Sequence, residues 1–532
     1  MNLKATEDNN QISFASKVGF VKSISKPSSI LGFISLILAS LILITPYLNV
    51  QFWYDDLVVH QLLARIHRMH TSYFSESLNE FNGWLFGSGR IHLYVFIQNA
   101  ILLIQNAFFY HLAIVGLFFI NILLFSILLR EFNFSYDFIY VFILLLISLF
   151  HIADYHDVLA SYAGTYQIFF ITLCSALFLL LKWTKNFSLL YLGGSVSLIF
   201  LSLLVYEINL IYFPIAFFVI LHFRKSVPLL RSFVVLFLPL LIYLIITLLV
   251  RAHTQNIGYS GVQFGSLQLF MITYLKQIVS IFPGLYYYVG GRHSNNLSTI
   301  WSSFILNYWG WLLAVTTVLT LSIFLNNSRK INKNSNVNSV VYLISLVILL
   351  STPVFVAISQ KYQAELNWGW GYLPIYYEAF PASLFLTFLI FKLSQNKITK
   401  VLVITILTFY ISLNWMENWH NVDYLNEVFT EPTISLSKQL NEGLLIDVRD
   451  GDIIEIKDTY PHIHGNIIYT VTGKKVIIQG EPLYIQTKHP RHYVLENIGK
   501  IEGKTTYVLR NNDSLTDSNK KIKIGQNVWI RD

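Results

Sequence analysis

Two adjacent carboxylates, Asp55 and Asp56, stand in the stretch NVQFWYDDLVVHQLLARIHRMH, directly after an apolar run long enough to cross a bilayer and behind Phe52, Trp53 and Tyr54. One aspartate at a helix start serves as an N-cap, bonding free N–H groups and complementing the helix dipole. That does not account for both, because neighbours on a helix point about 100° apart and only one can cap. A second carboxylate at the bilayer edge costs desolvation unless a cation, a metal or a substrate hydroxyl is its partner. Such a group suits general-base chemistry, since apolar surroundings raise its basicity.

A second acidic cluster lies in HIADYHDVLASYAGTYQ, again just beyond an apolar helix. Asp154 and Asp157, three apart, would share a face if the segment were helical, with His151 and His156 close by; that spacing admits a divalent cation, magnesium or manganese, and equally a solvated loop with capping aspartates. The functional reading is ligand recognition by Asp154, His156, Asp157, Tyr162 and Tyr166. Cations form a third group: Arg90 in FGSGRIH, Arg251 and His253 at a helix end, Arg292 and His293 in YYYVGGRHSNN, and Lys361 in SQKYQAELNWGWGYLP. Glycines let backbone N–H groups approach an anion while the arginine fork matches phosphate; single cations near a membrane also anchor headgroups. Trp368, Trp370 and Tyr372, interleaved with glycine, have the makings of a sugar-stacking platform or a lipid guard, and equally of an interfacial aromatic belt. Glu207 interrupts a long apolar stretch and needs a partner there. His462 and His464 share a strand face but have no further ligands nearby in sequence, the pattern of surface residues.

The elements that must position these residues are membrane helices. The 532-residue chain is 54% apolar and only 12% charged, with a mean hydropathy of +0.54. Its apolar runs are mostly about 17 to 22 residues long, enough for roughly 30 Å of hydrocarbon. The run 29–50 is too long for a signal sequence and lacks a small-residue cleavage site, so it reads as an anchored first helix. Further helices are expected near 112–129, 138–152, 166–181, 189–205, 208–223, 232–250, 303–325, 337–357, 374–391 and 399–414, about eleven in all. The segment 91–110 carries Gln98, Asn99, Gln105 and Asn106 and is taken as non-spanning. Short loops on one side then hold Arg130, Lys182, Lys185, Arg224, Lys225, Arg231, Arg329, Lys330, Lys333, Lys392, Lys397 and Lys400. That bias puts those loops and the tail 1–28 in the cytoplasm. The net charge of +8 is therefore a topology signal and does not point to nucleic acid.

Outer loops are expected at 51–111, 153–165, 251–302 and 358–373, with a turn near 206–207. The first is expected to carry an interfacial helix bearing Val58, Val59, Leu62, Ile66 and Met69. The single cysteine, Cys174, excludes a disulfide within the chain. Residues 415–532 read as a small soluble domain, β-rich or α+β, behind a short helix at 423–441. Its strand-like runs are DIIEIKD, GNIIYTVTG, KKVIIQG, HYVLEN and TTYVLRN.

Taken together, the aspartate pair, the first outer loop closing on Gly89 and Arg90, the acidic second loop, Glu207 and the soluble C-terminal region resemble the GT-C class of polytopic glycosyltransferases. The nearest members in kind are bacterial ones that decorate O-antigen or cell-wall polysaccharide from polyprenyl-phosphate sugars. The resemblance spans nearly the whole chain in architecture, on short motifs. It implies an all-α GT-C-like bundle, 29–414, with an extracytoplasmic domain at 415–532, in a bacterial plasma membrane. It implies inverting transfer, with Asp55 or Asp56, preferably Asp55, acting on the acceptor hydroxyl. Arg90, Arg292 and Lys361 are then the leading phosphate ligands, with Arg251 and His293 also in the set, and Glu207, Trp368, Trp370 and Tyr372 on the sugar or acceptor. The implied partners are a polyprenyl-phosphate-linked sugar donor, a cell-envelope polysaccharide or glycolipid acceptor, membrane lipids, a donor synthase and a small flippase. The second loop lacks an Asp-Xaa-Glu motif, which sets this chain apart from metal-dependent oligosaccharyltransferases. A lipid-linked sugar flippase or polysaccharide exporter is the alternative; transporters of that kind show related halves, and no repeat is found here. A membrane scaffold whose outer domain binds a partner is a third reading.

Overall fold

The computed structural model describes residues 27–52, 66, 70–89, 91–104, 106–153, 157–222, 229–253, 266–289, 304–305, 307–327, 335–426, 430–456, 467–468, 471–479, 493–501 and 504–511. Within these the chain is mostly helical. The helices are α1 (Pro27–Asn49), α2 (Tyr73–Ser88), α3 (Tyr94–Leu102), α4 (Ala107–Glu131), α5 (Tyr136–Leu149), α6 (Thr165–Asn186), α7 (Leu189–Val205) and α8 (Tyr212–His222). They continue as α9 (Leu229–His253), α10 (Leu267–Val279), α11 (Tyr308–Asn327), α12 (Ser335–Ala357), α13 (Gln360–Glu365), α14 (Ile375–Leu393), α15 (Lys397–Leu425) and α16 (Glu431–Asn441). Seven helical segments have the length and apolarity to cross a membrane, those of α1, α4, α6, α9, α11, α14 and α15. An integral membrane protein follows from their composition, because only a helix or a closed barrel satisfies its own backbone in hydrocarbon. Helices also occupy the other expected segments, as α5, α7, α8 and α12. The nine residues of α3 rise only about 14 Å, too short to span, in keeping with the non-spanning reading of 91–110.

Side-chain caps mark several starts: Asn106 accepts from the Phe109 N–H, Ser135 from Phe138 and Asn396 from Ile398. Buried amides cross-link the bundle where lipid offers no alternative partner. The Asn121 amide donates to the Gln167 carbonyl and the Tyr376 hydroxyl, each at 2.8 Å. The Tyr377 hydroxyl donates to Asn209 Oδ1 at 2.8 Å, and the Trp415 indole donates to the Ile42 carbonyl at 2.9 Å.

Two expectations need correction. The last bundle helix does not end near Asn414: α15 runs on to Leu425, its lower hydropathy coming from asparagines that face protein, and α16 is a separate helix. GNIIYTVTG is not a strand where it is described, since Ile467, Ile468, Val471 and Thr472 are helical. The other four runs supply β1 (Ile453–Ile456), β2 (Ile477–Gln479), β3 (Tyr493–Ile501) and β4 (Lys504–Asn511), in a sheet of order β2-β1-β4-β3. β1 pairs parallel with both neighbours, and β3 and β4 form an antiparallel pair with an irregularity between Asn497 and Gly499.

Candidate functional site

Polar side chains gather at the end of the bundle where α1, α5 and α15 finish. Beyond Leu149 the chain leaves α5 in extended form and meets three asparagines spaced four and three apart on α15, which puts them on one helix face. Asn414 donates to the carbonyls of Ser148 at 2.7 Å and Phe150 at 3.2 Å. Asn418 Oδ1 accepts the Ile152 N–H at 2.8 Å, and Asn421 donates to the Ile152 carbonyl. The same two asparagines take up hydroxyls from a π-helical turn at Leu285–Val289: Tyr287 donates to Asn418 at 2.6 Å, and Asn421 donates to Tyr286 at 3.3 Å.

The clamped segment delivers Asp157, which is buried. Its Oδ2 accepts the Ala153 N–H at 2.9 Å, and its Oδ1 accepts those of Leu159 at 2.7 Å and Ala160 at 2.6 Å. Burial pushes its carboxyl up to about 6 against the pull of these three N–H groups. Three successive residues then take left-handed backbone: Tyr162 (φ 64°), Ala163 (φ 47°) and Gly164 (φ 68°). For the two non-glycine residues this costs about 1–2 kcal/mol each. The Tyr110 hydroxyl holds the turn by accepting the Ala163 N–H at 2.9 Å.

Asp157 lines a small cleft with His151, Trp370 and Tyr372, between apolar walls from Leu149, Phe150, Ile281 and Ile375. The His151 ring lies 4.5 Å from that of Tyr286 at a 30° tilt. Burial lowers its pKa to about 4, so the imidazole is neutral, and its Nδ1 has no hydrogen-bond partner among the described residues. The Tyr372 hydroxyl is 2.6 Å from that of Tyr362, and burial raises its pKa.

Glycine shapes the wall carrying Trp370. Gly369 has φ +82°, and a Cβ there would stand 2.3 Å from the Leu285 carbonyl oxygen. The loop thus presses backbone to backbone on the π-helical turn, which only glycine permits. Lys276 donates to the Leu366 carbonyl at 2.6 Å, its pKa lowered by burial. Gln277 donates to the Tyr372 carbonyl at 3.2 Å and to buried Glu378 at 3.1 Å.

Of the residues singled out from sequence, Asp157, Trp370 and Tyr372 meet in this cleft. Tyr162 and Tyr166 are electrostatic neighbours of Tyr372 but do not line the cleft, and the Tyr166 hydroxyl is 3.5 Å from that of Tyr206. Glu207 follows Tyr206 at the start of a 3-10 turn, half-buried and outside the cleft wall. Trp368 is exposed, and so is Arg251 at the end of α9; neither lines the cleft. Lys361 is paired with Glu365 at 3.9 Å, 5.4 Å from the centroid of the Tyr362 ring. Asp55, Asp56, Arg90, Asp154, His156, Arg292, His293, His462 and His464 lie outside the described residues, as does most of the expected interfacial helix.

The approach to Asp55 is described as far as Phe52, and it shares supports with the Asp157 loop. The Phe52 ring is 5.0 Å from that of Tyr110. Buried His111 sits between the backbones of Gln51 and Leu159. Asn426, at the end of α15, accepts the Gln51 N–H at 3.1 Å and donates to the Asn49 carbonyl at 3.3 Å. Sequence reasoning passed over the asparagine face, Lys276 and the Tyr286–Tyr287 pair. The signal for the first was present as Asn414, Asn418 and Asn421 at helical spacing in NWMENWHN.

Among the described residues no group of three or more His, Cys, Asp or Glu side chains is arranged to hold a metal ion. Comparison with protein-family models and with curated protein sequences finds no match to this chain.

Proposed function

We propose that this chain is a membrane glycosyltransferase that moves a single sugar from a polyprenyl-phosphate donor to a cell-surface glycan or glycolipid, on the extracytoplasmic face of a bacterial plasma membrane. The observation that carries the reading is the convergence of Asp157, His151, Trp370 and Tyr372 on one cleft at the bundle end where the chain leads towards Asp55 and Asp56. A buried carboxyl, a neutral imidazole and an indole face suit a sugar, and apolar walls suit the prenyl side of a lipid-linked ligand. The eleven spans of this reading would require α5, α7, α8 and α12 to cross the membrane alongside the seven helices of α1, α4, α6, α9, α11, α14 and α15.

In the proposed reaction an aspartate of the Asp55–Asp56 pair takes the proton of the acceptor hydroxyl. The oxygen attacks the anomeric carbon from the face opposite the phosphate. The bond to polyprenyl phosphate breaks, the phosphate keeps the electron pair, and the anomeric centre inverts. Arg90, Arg292 and Lys361 would stabilise the departing charge. Asp55 follows Phe52 by three residues in the sequence, and the Phe52 ring packs beside the Tyr110–His111 pair. Asp157 acts in sugar positioning, its orientation fixed by three N–H groups.

The test supplies membranes containing the chain with labelled polyprenyl-phosphate sugars. The expected result is label in envelope glycan or glycolipid. Movement of the intact lipid-linked sugar between leaflets of sealed vesicles, with no transfer, would instead establish the flippase alternative.

A further inference from the structure

Both acidic segments are held by one helix. Asn418 and Asn421 of α15 grip Ile152, and the residue that caps the same helix, Asn426, grips Asn49 and Gln51. Just beyond it the Thr430 hydroxyl donates to the Phe52 carbonyl at 3.4 Å. Ile152 precedes Asp154 and Asp157; Phe52 precedes Asp55 and Asp56. Each grip closes on both an N–H and a carbonyl, which fixes the amide orientations: Asn418 must present oxygen and Asn421 nitrogen to the two peptide units that flank the Ile152 Cα. The two also secure Tyr287 and Tyr286, so loop 150–157 and the π-helical turn are joined through α15.

We propose that Asn418, Asn421 and Asn426 are positioning residues that set the spacing between the two acidic segments and hold the cleft in its working geometry. None of them lines the cleft; they act through Ile152, the tyrosine pair and residues 49–51. A displacement of about 1 Å at a reacting centre is enough for a roughly 100-fold loss of rate, and each grip lies within a few residues of a carboxylate assigned a role above.

The donor and acceptor assignments make aspartate substitution discriminating. Asn418→Asp keeps an oxygen for the Ile152 N–H and the Tyr287 hydroxyl, whereas Asn421→Asp sets an oxygen against the Ile152 carbonyl. The transfer arm of the test rests on the function proposed above; a distance arm does not. In the transfer arm, Asn418→Ala and Asn421→Ala are expected to lower kcat roughly 100-fold with KM little changed. Asn418→Asp should restore most of the rate, and Asn421→Asp should not. In the distance arm, nitroxides at Gln51→Cys and Phe282→Cys, both exposed positions, report by pulsed electron spin resonance the separation of residue 51 from the bend that leads into the π-helical turn, which Asn418 and Asn421 join to Ile152. Buried Cys174 is replaced by alanine for this purpose. The combined Asn418→Ala, Asn421→Ala, Asn426→Ala variant is expected to broaden that distribution at least about twofold. An unchanged distribution, or equal behaviour of the two aspartate variants, overturns the proposal. Absence of transfer by the wild type would count against the proposed function alone, and the distance arm would then decide this inference.

Discussion

At the scale of single residues, the cleft holds two groups whose titrations oppose each other. Asp157 binds its proton more tightly in the fold, with its pKa raised from 3.8 to about 6. Its contribution to stability is therefore present below 3.8 and lost as pH rises through about 6. His151 is shifted the other way, from 6.5 to about 4, so its contribution is present above 6.5 and lost as pH falls through about 4. Each shift is worth on the order of 3 kcal/mol, and between pH 4 and 6.5 they largely cancel. Melting temperatures in detergent, each taken relative to wild type, should expose the parts. Asp157→Asn is expected to gain stability with rising pH in that window and His151→Phe to lose it; curves parallel to wild type would contradict both shifts.

Gly369→Ala probes the same wall sterically. It adds a Cβ 2.3 Å from a backbone oxygen at φ +82°, whereas Gly443, at φ +100°, has open space around it. Gly443→Ala should therefore cost only the backbone strain, about 1–2 kcal/mol, and Gly369→Ala clearly more. Equal shifts in melting temperature would remove the close approach from the account. Residue types had pointed to Asp157, Trp370 and Tyr372 because a carboxyl or an aromatic cluster beside apolar helices needs a reason. His151 carried less weight because its setting depends on Tyr286, more than a hundred residues away in the chain.

Among elements, hydropathy made the bundle legible, since length and apolarity are what a bilayer demands of a helix. It failed where a helix faces protein instead of lipid. The last turns of α15 look too polar to be bundle helix until Ser148, Phe150 and Ile152 are seen to occupy its asparagines. GNIIYTVTG failed for a related reason: a short alternation does not fix a strand without knowledge of its neighbours. The internal amides give a test at this scale. Asn121→Leu removes the donor to the Gln167 carbonyl and the Tyr376 hydroxyl, and leaving buried partners unsatisfied should cost about 1–3 kcal/mol. Combined with Tyr376→Phe the loss should be less than additive, because the two share one bond. Strict additivity in a double-mutant cycle would show that the bond contributes nothing.

For the whole molecule, the arrangement in the membrane governs everything proposed for the cleft. The basic loops predict that residues 51 and 441 lie outside and residue 395 inside. Because Cys174 is buried, single cysteines introduced at the exposed positions Gln51, Asn441 and Gln395 can be read directly. An impermeant maleimide should label the first two in intact cells and the third only after lysis. The reverse pattern would turn the cleft towards the cytoplasm and remove the proposed acceptor.

The central claim is that the carboxylate pair Asp55–Asp56 drives glycosyl transfer beside this cleft. Its most direct test is transfer of labelled sugar from polyprenyl-phosphate donors to envelope glycan by wild type, Asp55→Asn, Asp56→Asn and the double variant, at matched expression, with and without chelator. The account predicts that one single substitution, Asp55→Asn in the preferred assignment, abolishes transfer in a folded protein. The chelator arm decides whether magnesium or manganese takes part. Normal transfer by both single variants and the double variant would contradict the account and leave the pair as helix caps.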